Sequence, residues 1–302
     1  MNRLNRYEDI FAIGVFTMMA LLPFLELFTR LFGILSVPAS QVIVQHLTLW
    51  IGFSGAILAT RQNKLLALTH KPLFMTDENF HLGRYTAKLL TFLVLIVLAW
   101  GSWKLLKIEM EYPIDIAPSI PRWLAIMIMP FTFALMSIKI LFKSYSNYYY
   151  KLSFFLIVIA FSFSELPDLI FNYLPGLYIS YFVILVSLFY GAPIFVGLAG
   201  LAIILFWADY TPVSAISAEA YRIVVSPTLP TIPLFTTAGY FLAESKASKR
   251  LVLIFQELFG WIPGGTPIII ILLCGFFTAL TGGSGVTILA LGGLLLPMLL
   301  KE

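Results

Sequence analysis

Long apolar runs recur along this chain and constrain its fold more than any other feature. Several of them continue for 15 to 20 residues with few charges, and a helix needs about 20 residues to cross a bilayer core of about 30 Å. Of the 302 residues, 60% are hydrophobic and only 11% are charged, whereas soluble domains carry about 25% charged residues. The sequence therefore predicts an all-α polytopic membrane protein and excludes soluble, disordered and disulfide-stapled classes.

Five of these runs predict membrane-spanning helices in the first part of the chain. The first run follows a basic start but lacks a small-residue cleavage pattern, so we expect a retained helix and not a cleaved signal. A polar loop at Arg61 to Lys88 and a proline-rich loop separate later runs, and the second loop cannot be helical throughout. The predicted spans are 9–35, 41–60, 89–106, 123–142 and 152–171.

A Gly-Ala-Pro sequence at 191–193 interrupts the next apolar run, which forms either one kinked helix or two short ones. The distribution of basic residues distinguishes the kinked helix from the pair, because lysine and arginine concentrate on the cytoplasmic side of membrane proteins. With a cytoplasmic N-terminus, five spans and a short helix pair, fourteen of the 19 basic residues lie inside and five outside. One kinked helix would instead place Lys246, Lys249 and Arg250 outside. The short pair is therefore predicted, with the N-terminus in the cytoplasm.

The last apolar segment predicts a re-entrant hairpin at 266–300. Its arms, Thr266 to Leu280 and Val286 to Leu300, have 15 residues each, about 22 Å of helix, which is too short for a bilayer core of about 30 Å. The sequence TGGSG lies between them, and an unwound backbone is tolerated at that depth only where it lines a cavity or a protein interface. The first arm would offer carbonyl oxygens to a cation, and the second would offer N–H groups to a carboxylate.

The hairpin tip is the candidate binding site, because broken helices form the substrate and Na⁺ sites of secondary transporters. Its hydroxyl groups add oxygen ligands, and its glycines expose the backbone. The alternative is a simple turn between two close-packed spans. The predicted binding residues are Thr281, Gly282, Gly283, Ser284, Gly285 and Thr287. The preceding run at 226–244 is broken by prolines, so Pro230, Pro233 and Gly239 are candidate hinge residues, with a fixed kink as the alternative.

Two sets of motifs resemble the membrane subunits of tripartite ATP-independent periplasmic (TRAP) transporters. The sequences TIPLFTTAGYFLAES, KRLVLIFQELFGWIPGG and FFTALTGGSGVTILALGGLLLPML are similar to the large subunit. The matching positions are Ile232, Pro233, Leu234, Phe235, Gly239, Arg250, Leu251, Gly260, Gly264, Gly265, Thr281, Gly282, Ser284, Pro297 and Met298. The first 150 residues resemble the four-helix small subunit. They do so through Leu47, Trp50, Gly55, Ala56, Ala59 and Arg61, although Lys64 stands where the family usually has histidine.

The resemblance implies three regions in one fused chain. Residues 1–150 would be the small-subunit-like scaffold, 151–176 a linking helix, and 177–302 the first part of the large subunit. This last part would contain the short helix pair, an entering helix at 226–244, an amphipathic arm at 246–262 and the hairpin. The resemblance also implies Na⁺-driven import of an organic acid by an elevator mechanism, with a periplasmic binding protein as partner. Such a protein lies in the bacterial inner membrane and contacts the bilayer but no nucleic acid.

The resemblance has one important gap, because the family's large subunit has two inverted repeats and this sequence matches only the first. We therefore expect the second repeat on the same or another chain, and no transport by residues 1–302 alone. A non-transporting membrane scaffold that needs another chain for activity is the alternative. An enzyme is not expected, because the sequence has no P-loop, HExxH, GxSxG or paired CxxC motif, and Na⁺ is the only ligand ion expected.

Overall fold

The computed structural model describes residues 2–33, 39–68, 77–118, 120–144, 174–259, 261 and 265–281. These ranges are mostly helical, and the chain divides into two compact units, Met1–Val225 and Ser226–Glu302. The predicted span at 152–171 and the second arm of the predicted hairpin lie outside the described residues.

The first unit contains eight described helices and one short pair of antiparallel strands. The helices are α1 (Asn2–Leu31), α2 (Ser40–Gln62), α3 (Asp77–Glu111), α4 (Arg122–Ile126), α5 (Ile128–Ser144), α6 (Leu174–Phe189), α7 (Ile194–Ala208) and α8 (Ser214–Val224). The strands are β1 (Asp115–Ala117) and β2 (Ile120–Pro121). In the second unit the described helices are α9 (Thr231–Glu244), α10 (Lys246–Phe259) and α11 (Gly265–Thr281).

Four helical segments of the first unit are long and apolar enough to cross a membrane. They are Asn5–Leu31, Ser40–Gln62, Gly83–Glu111 and Arg122–Phe142. These segments correspond to the first four predicted spans, and they confirm the all-α polytopic class. Helix α1 leaves large apolar side chains such as Ile13 and Leu31 exposed on the protein surface, which is the arrangement that lipid tails stabilise.

The two predicted loops have different outcomes. The proline-rich loop is non-helical as predicted, and it folds into the β1–β2 hairpin, after which the Arg122 N–H donates to the carbonyl of Ile114 at 2.8 Å. The prediction of a polar loop reaching Lys88 was wrong, because α3 already begins at Asp77. A helix that leaves the apolar layer can continue through charged residues, since its backbone hydrogen bonds are internal, and the apolar run alone therefore underestimates its length.

The break at Gly191 separates α6 from α7 as the Gly-Ala-Pro sequence predicts. Gly191 has a φ of 88°, and its N–H donates to Leu188 while the Ala192 N–H donates to Ser187. This pair of bonds is a Schellman motif, which ends a helix with glycine in the left-handed region. Pro193 then starts the next helix without needing an N–H donor.

Helix α3 lies at the centre of the first unit and contacts helices on both of its sides. Its Leu95 is fully buried in a cluster with Ile57 of α2 and Met136 of α5. On another face its Val94 packs in a cluster with Val196 of α7. Helices α2 and α5 of the predicted scaffold and α7 of the following pair therefore all pack on α3.

Candidate functional site

The structure places the start of the predicted binding site at the end of α11. The described helix runs from Gly265 to Thr281 and has 17 residues, about 26 Å. Thr281 is the first residue of the predicted tip, and the described part of α11 reaches it. Of the predicted site residues, Gly282, Gly283, Ser284, Gly285 and Thr287 lie outside the described residues.

The candidate hinge residues lie at the start and in the middle of α9. The helix begins at Thr231, which corrects the predicted start at 226. The physical reason is Pro230, whose ring would clash with the carbonyl of residue 226 in a continuous helix. Pro233 lies in the first turn, where its missing N–H breaks no helical hydrogen bond, and Gly239 is buried. A hinge role for these residues stays a prediction.

One face of α11 is buried within the second unit. Ile269, Leu273 and Phe277 follow each other at four-residue intervals and are at most 1% exposed. Phe255 and Phe259 of α10 pack against this stripe, with their ring centroids 6.0 Å apart. The first arm of the predicted hairpin is therefore fixed by an apolar stripe of the kind that a helix buries against neighbouring elements.

In the first unit, the turn between α6 and α7 is hydrogen-bonded to the segment that follows α2. The N–H of Ile194 donates to the carbonyl of Leu66 at 2.8 Å, and Ala67 and Pro193 form an isolated β-bridge. Beside this turn the ring of Tyr190 packs directly on Gly83 of α3. A Cβ atom added at Gly83 would overlap the ring, with the ring Cγ only 2.5 Å away. Backbone bonds and a close ring contact therefore join these elements at one end of the unit.

A second contact joins the elements at the other end of α2. His46 is 9% exposed, and its Nδ1 lies 2.7 Å from the carbonyl of Val42 while its Nε2 lies 2.7 Å from the hydroxyl of Tyr221 on α8. A carbonyl can only accept, so in the neutral imidazole Nδ1 carries the proton and Nε2 accepts from Tyr221. Burial raises the pKa of Tyr221 to about 12. The charge of Arg122 lowers this pKa and that of Glu109 raises it, both by less than burial does. The phenol therefore keeps the proton that it donates.

Comparison with known families identifies the two parts of the chain that these contacts join. Residues 19–147 match the family model described as the DctQ component of tripartite ATP-independent periplasmic transporters, and residues 181–302 match the DctM component. The chain belongs to the TRAP transporter family. It carries a DctQ region followed by a DctM region in one polypeptide, and four helical segments of its described part are long and apolar enough to cross a membrane. It is a multi-pass protein of the bacterial inner membrane. Membership of a transporter family favours a role other than catalysis.

Curated TRAP relatives match the chain over part of their length. The isethionate TRAP transporter permease protein DctMQ of Oleidesulfovibrio alaskensis is 28% identical over 67% of this chain and 33% of its own length. The C4-dicarboxylate TRAP transporter large permease protein DctM of Vibrio cholerae is 30% identical over 37% of this chain and 25% of its own. The corresponding protein of Pseudomonas aeruginosa is 31% identical over 35% of this chain and 25% of its own. The chain therefore spans about a third of the first relative's length and less of the others.

With the TRAP regions assigned, both contacts in the first unit join the DctQ region to the DctM region. Leu66, Gly83 and His46 belong to the first region, whereas Tyr190, Pro193 and Tyr221 belong to the second. We call these two contacts the DctQ–DctM junction. Within the part of the chain that the structure describes, α6, α7 and α8 are thus packed on the DctQ helices as parts of one body.

The close contact between Gly83 and Tyr190 gives a testable prediction for this junction. Gly83→Ala is expected to lower the free energy of unfolding by about 1–3 kcal/mol, because the new methyl group overlaps a packed ring. Tyr190→Ala removes the ring, and in that background Gly83→Ala is expected to be neutral or stabilising, since alanine favours helix over glycine. Equilibrium unfolding of the purified full chain in detergent measures both effects as a double-mutant cycle.

Gly55→Ala is the matched control, because Gly55 also lies in a helix and has no atom within 4 Å of an added Cβ. This variant is expected to gain up to about 1 kcal/mol from helix propensity. Equal gains for Gly83→Ala and Gly55→Ala in the wild-type background would mean that Tyr190 does not pack on Gly83.

The sequence did not indicate the junction residues. Gly83 is one of 20 glycines, and nothing in its local sequence marks it as a contact. His46 and Tyr221 are 175 residues apart in the chain, and no periodic pattern relates them. One usable signal was the Gly-Ala-Pro break, because a turn between two helices leaves backbone groups that need hydrogen-bond partners.

Proposed function

We propose that this chain is a membrane component of a Na⁺-coupled secondary transporter that imports an organic acid, with its N-terminus in the cytoplasm. The observation that carries the proposal is the presence of both TRAP membrane components in one chain, with described helices of the two packed in one unit. The named substrates of the relatives, isethionate and C4-dicarboxylates, are organic anions. The Thr-Gly-Gly-Ser-Gly sequence that begins at Thr281 is suited to an anion and a small cation, which supports the same substrate class.

The proposal assigns different roles to the two units. The first unit, with its large buried core and its DctQ–DctM junction, would be the scaffold. In the second unit, α11 and the hairpin tip would belong to the moving transport domain, and α9 and α10 would connect it to the scaffold. A periplasmic binding protein would deliver the substrate, and a second repeat of the large subunit, on the same or another chain, would complete the site at the repeat interface.

Hydroxyl variants at the proposed tip test this function. In the transporter that contains this chain, reconstituted with its binding protein, Thr281→Ala and Ser284→Ala are each expected to reduce Na⁺-dependent uptake at least about tenfold, equivalent to about 1.4 kcal/mol. The reason is the loss of an oxygen ligand for the coupling ion. Uptake of radiolabelled isethionate and succinate into liposomes, with an inward Na⁺ gradient and with a K⁺ gradient of equal size, is the measurement.

Ser180→Ala provides the matched control, because the Ser180 hydroxyl donates only to the Gly176 carbonyl of its own helix at 2.8 Å among its described contacts. This control is expected to transport like the wild type. If the tip variants also transport like the wild type, the tip does not bind the coupling ion. If the wild type binds its partner chain and shows no uptake of any organic acid, the chain is a scaffold, and the transport proposal is overturned.

A further inference from the structure

A cavity of about 330 Å³ with a partly polar lining lies at the end of the first unit where α2 finishes and the turn between α6 and α7 is docked. Its polar lining comes from the DctQ region, and this lining consists of Thr60, Asn63, Arg84, Lys88, Thr91 and Lys139. Its opposite wall is the turn from Gly191 to Pro193, which belongs to the DctM region. The cavity therefore lies directly on the DctQ–DctM junction.

Cationic groups dominate the polar lining of the cavity. The hydroxyls of Thr60 and Thr91 donate to carbonyls of their own helices, at 2.8 Å and 2.7 Å, so they offer no proton to a ligand. The ammonium of Lys139 donates to Glu8 at 2.5 Å. Arg84 and Lys88 contribute a guanidinium with five N–H donors and an ammonium with three, enough to bind an anion beside another partner. No acidic side chain is among the lining residues in the described ranges.

The cavity lies at the ends of three candidate spans, where the headgroups of a surrounding bilayer are expected. Thr60 and Asn63 are at the end of the span Ser40–Gln62, and Arg84 is at the start of the span Gly83–Glu111. Lys139 is near the end of a third span, and apolar side chains, including Leu65 and Ile140, complete the lining. Basic pockets between the ends of transmembrane helices bind the phosphate groups of anionic lipids, and guanidinium and ammonium groups are the usual phosphate ligands in proteins.

We propose that this cavity binds a phosphate group, supplied by the headgroup of an anionic membrane lipid, and that the bound lipid holds the DctQ and DctM regions together. Arg84 and Lys88 would contact the phosphate, with the amide of Asn63 as a further donor. The acyl chains would lie along the apolar outer faces of the spans. Because the two walls of the cavity come from the two regions, a ligand that contacts both adds stability to their junction by mass action.

The test measures lipid binding to the purified full chain in a neutral detergent. Dioleoylphosphatidylglycerol is titrated against dioleoylphosphatidylcholine, which has the same acyl chains and no net charge, and a third series uses inorganic phosphate. Native mass spectrometry counts bound lipids, and the melting temperature reports stabilisation. The anionic lipid is expected to bind saturably and raise the melting temperature, and Arg84→Gln with Lys88→Gln is expected to weaken its apparent Kd at least about tenfold.

Lys104→Gln with Lys107→Gln is the matched control, because it removes the same charge from exposed positions of the same helix, α3, far along the chain from the cavity. It is expected to bind the anionic lipid like the wild type. Should the double variant at 84 and 88 fail to fold, Arg84→Gln alone serves, because Arg84 is exposed.

The outcomes separate the two sources of phosphate. Binding of the anionic lipid that depends on Arg84 and Lys88, and that inorganic phosphate does not displace, supports a lipid site. Saturable binding of inorganic phosphate that is lost in the same variant supports the phosphate site and identifies a soluble ligand. If both double variants bind the anionic lipid as the wild type does, the cavity is not a phosphate site and the proposal is overturned.

Discussion

Replacing Glu8 by alanine is expected to lower the free energy of unfolding by about 3 kcal/mol, the low end of the range for breaking a buried ion pair. Glu8 on α1 accepts a hydrogen bond from Lys139 on α5 at 2.5 Å, and its side chain is 13% exposed against 17% for Lys139. The second carboxylate oxygen lies 3.5 Å from Arg61 at the end of α2. Removal of this carboxylate leaves the mostly buried ammonium of Lys139 without its described counter-charge.

Two further variants separate this explanation from a general loss of packing. Glu8→Ala combined with Lys139→Met is expected to recover most of the stability, because an apolar side chain needs no counter-charge. Asp9→Asn is the control, because Asp9 is 46% exposed and its partner, Arg61, also donates to the carbonyl of Asn5 at 2.8 Å. That substitution is expected to cost less than about 1 kcal/mol.

Equilibrium unfolding of the full chain in detergent gives all three values. The explanation fails if Lys139→Met does not rescue Glu8→Ala. A loss for Asp9→Asn as large as that for Glu8→Ala would also contradict it, because the carboxylate of Asp9 is far more exposed.

The ion pairs also show which parts of this fold the sequence could predict. The first four spans and the helix break at Gly191 were predicted correctly, because helix length and glycine–proline chemistry depend on neighbouring residues. The partners of Glu8 could not be predicted, since Lys139 is 131 residues away and many helix pairings satisfy the same apolar pattern. The start of α3 at Asp77 was also missed, because charged residues beyond an apolar run do not end a helix.

The candidate site, like the fold, could be predicted only in part from the sequence. The sequence predicted a helix at 266–280 as the first arm of the hairpin, and the structure describes a helix over Gly265–Thr281, whereas the hairpin itself stays a prediction. The basic cavity was not predicted, because Asn63, Arg84 and Lys139 lie near the ends of three separate apolar spans and approach one another only through the packing of α2, α3 and α5. Chemistry that rests on a local motif is visible in a single sequence, whereas chemistry assembled from distant helix ends is not.

A second large effect on stability is expected near the carboxyl end of α3, where Glu109 lies. Arg122, at the start of α4, donates to both oxygens of Glu109 at 2.8 Å and 2.6 Å, and the Glu109 side chain is only 10% exposed. Arg122→Leu is expected to lower the free energy of unfolding by about 3 kcal/mol, because the carboxylate of Glu109 stays buried without a partner. Arg122→Lys keeps the charge but loses the planar two-point contact, so a smaller loss of about 1 kcal/mol is expected.

Arg222→Leu is the matched control for Arg122→Leu, because it breaks an arginine–glutamate pair of similar length whose side chains are 72% and 51% exposed. Water solvates both of these partners, so no measurable change in stability is expected. Glu109→Leu combined with Arg122→Leu is expected to restore most of the stability, since no buried charge then remains. If Arg122→Leu and Arg222→Leu instead have equal effects, Glu109 is solvated in the protein, and α4 is held at the end of α3 by apolar packing alone.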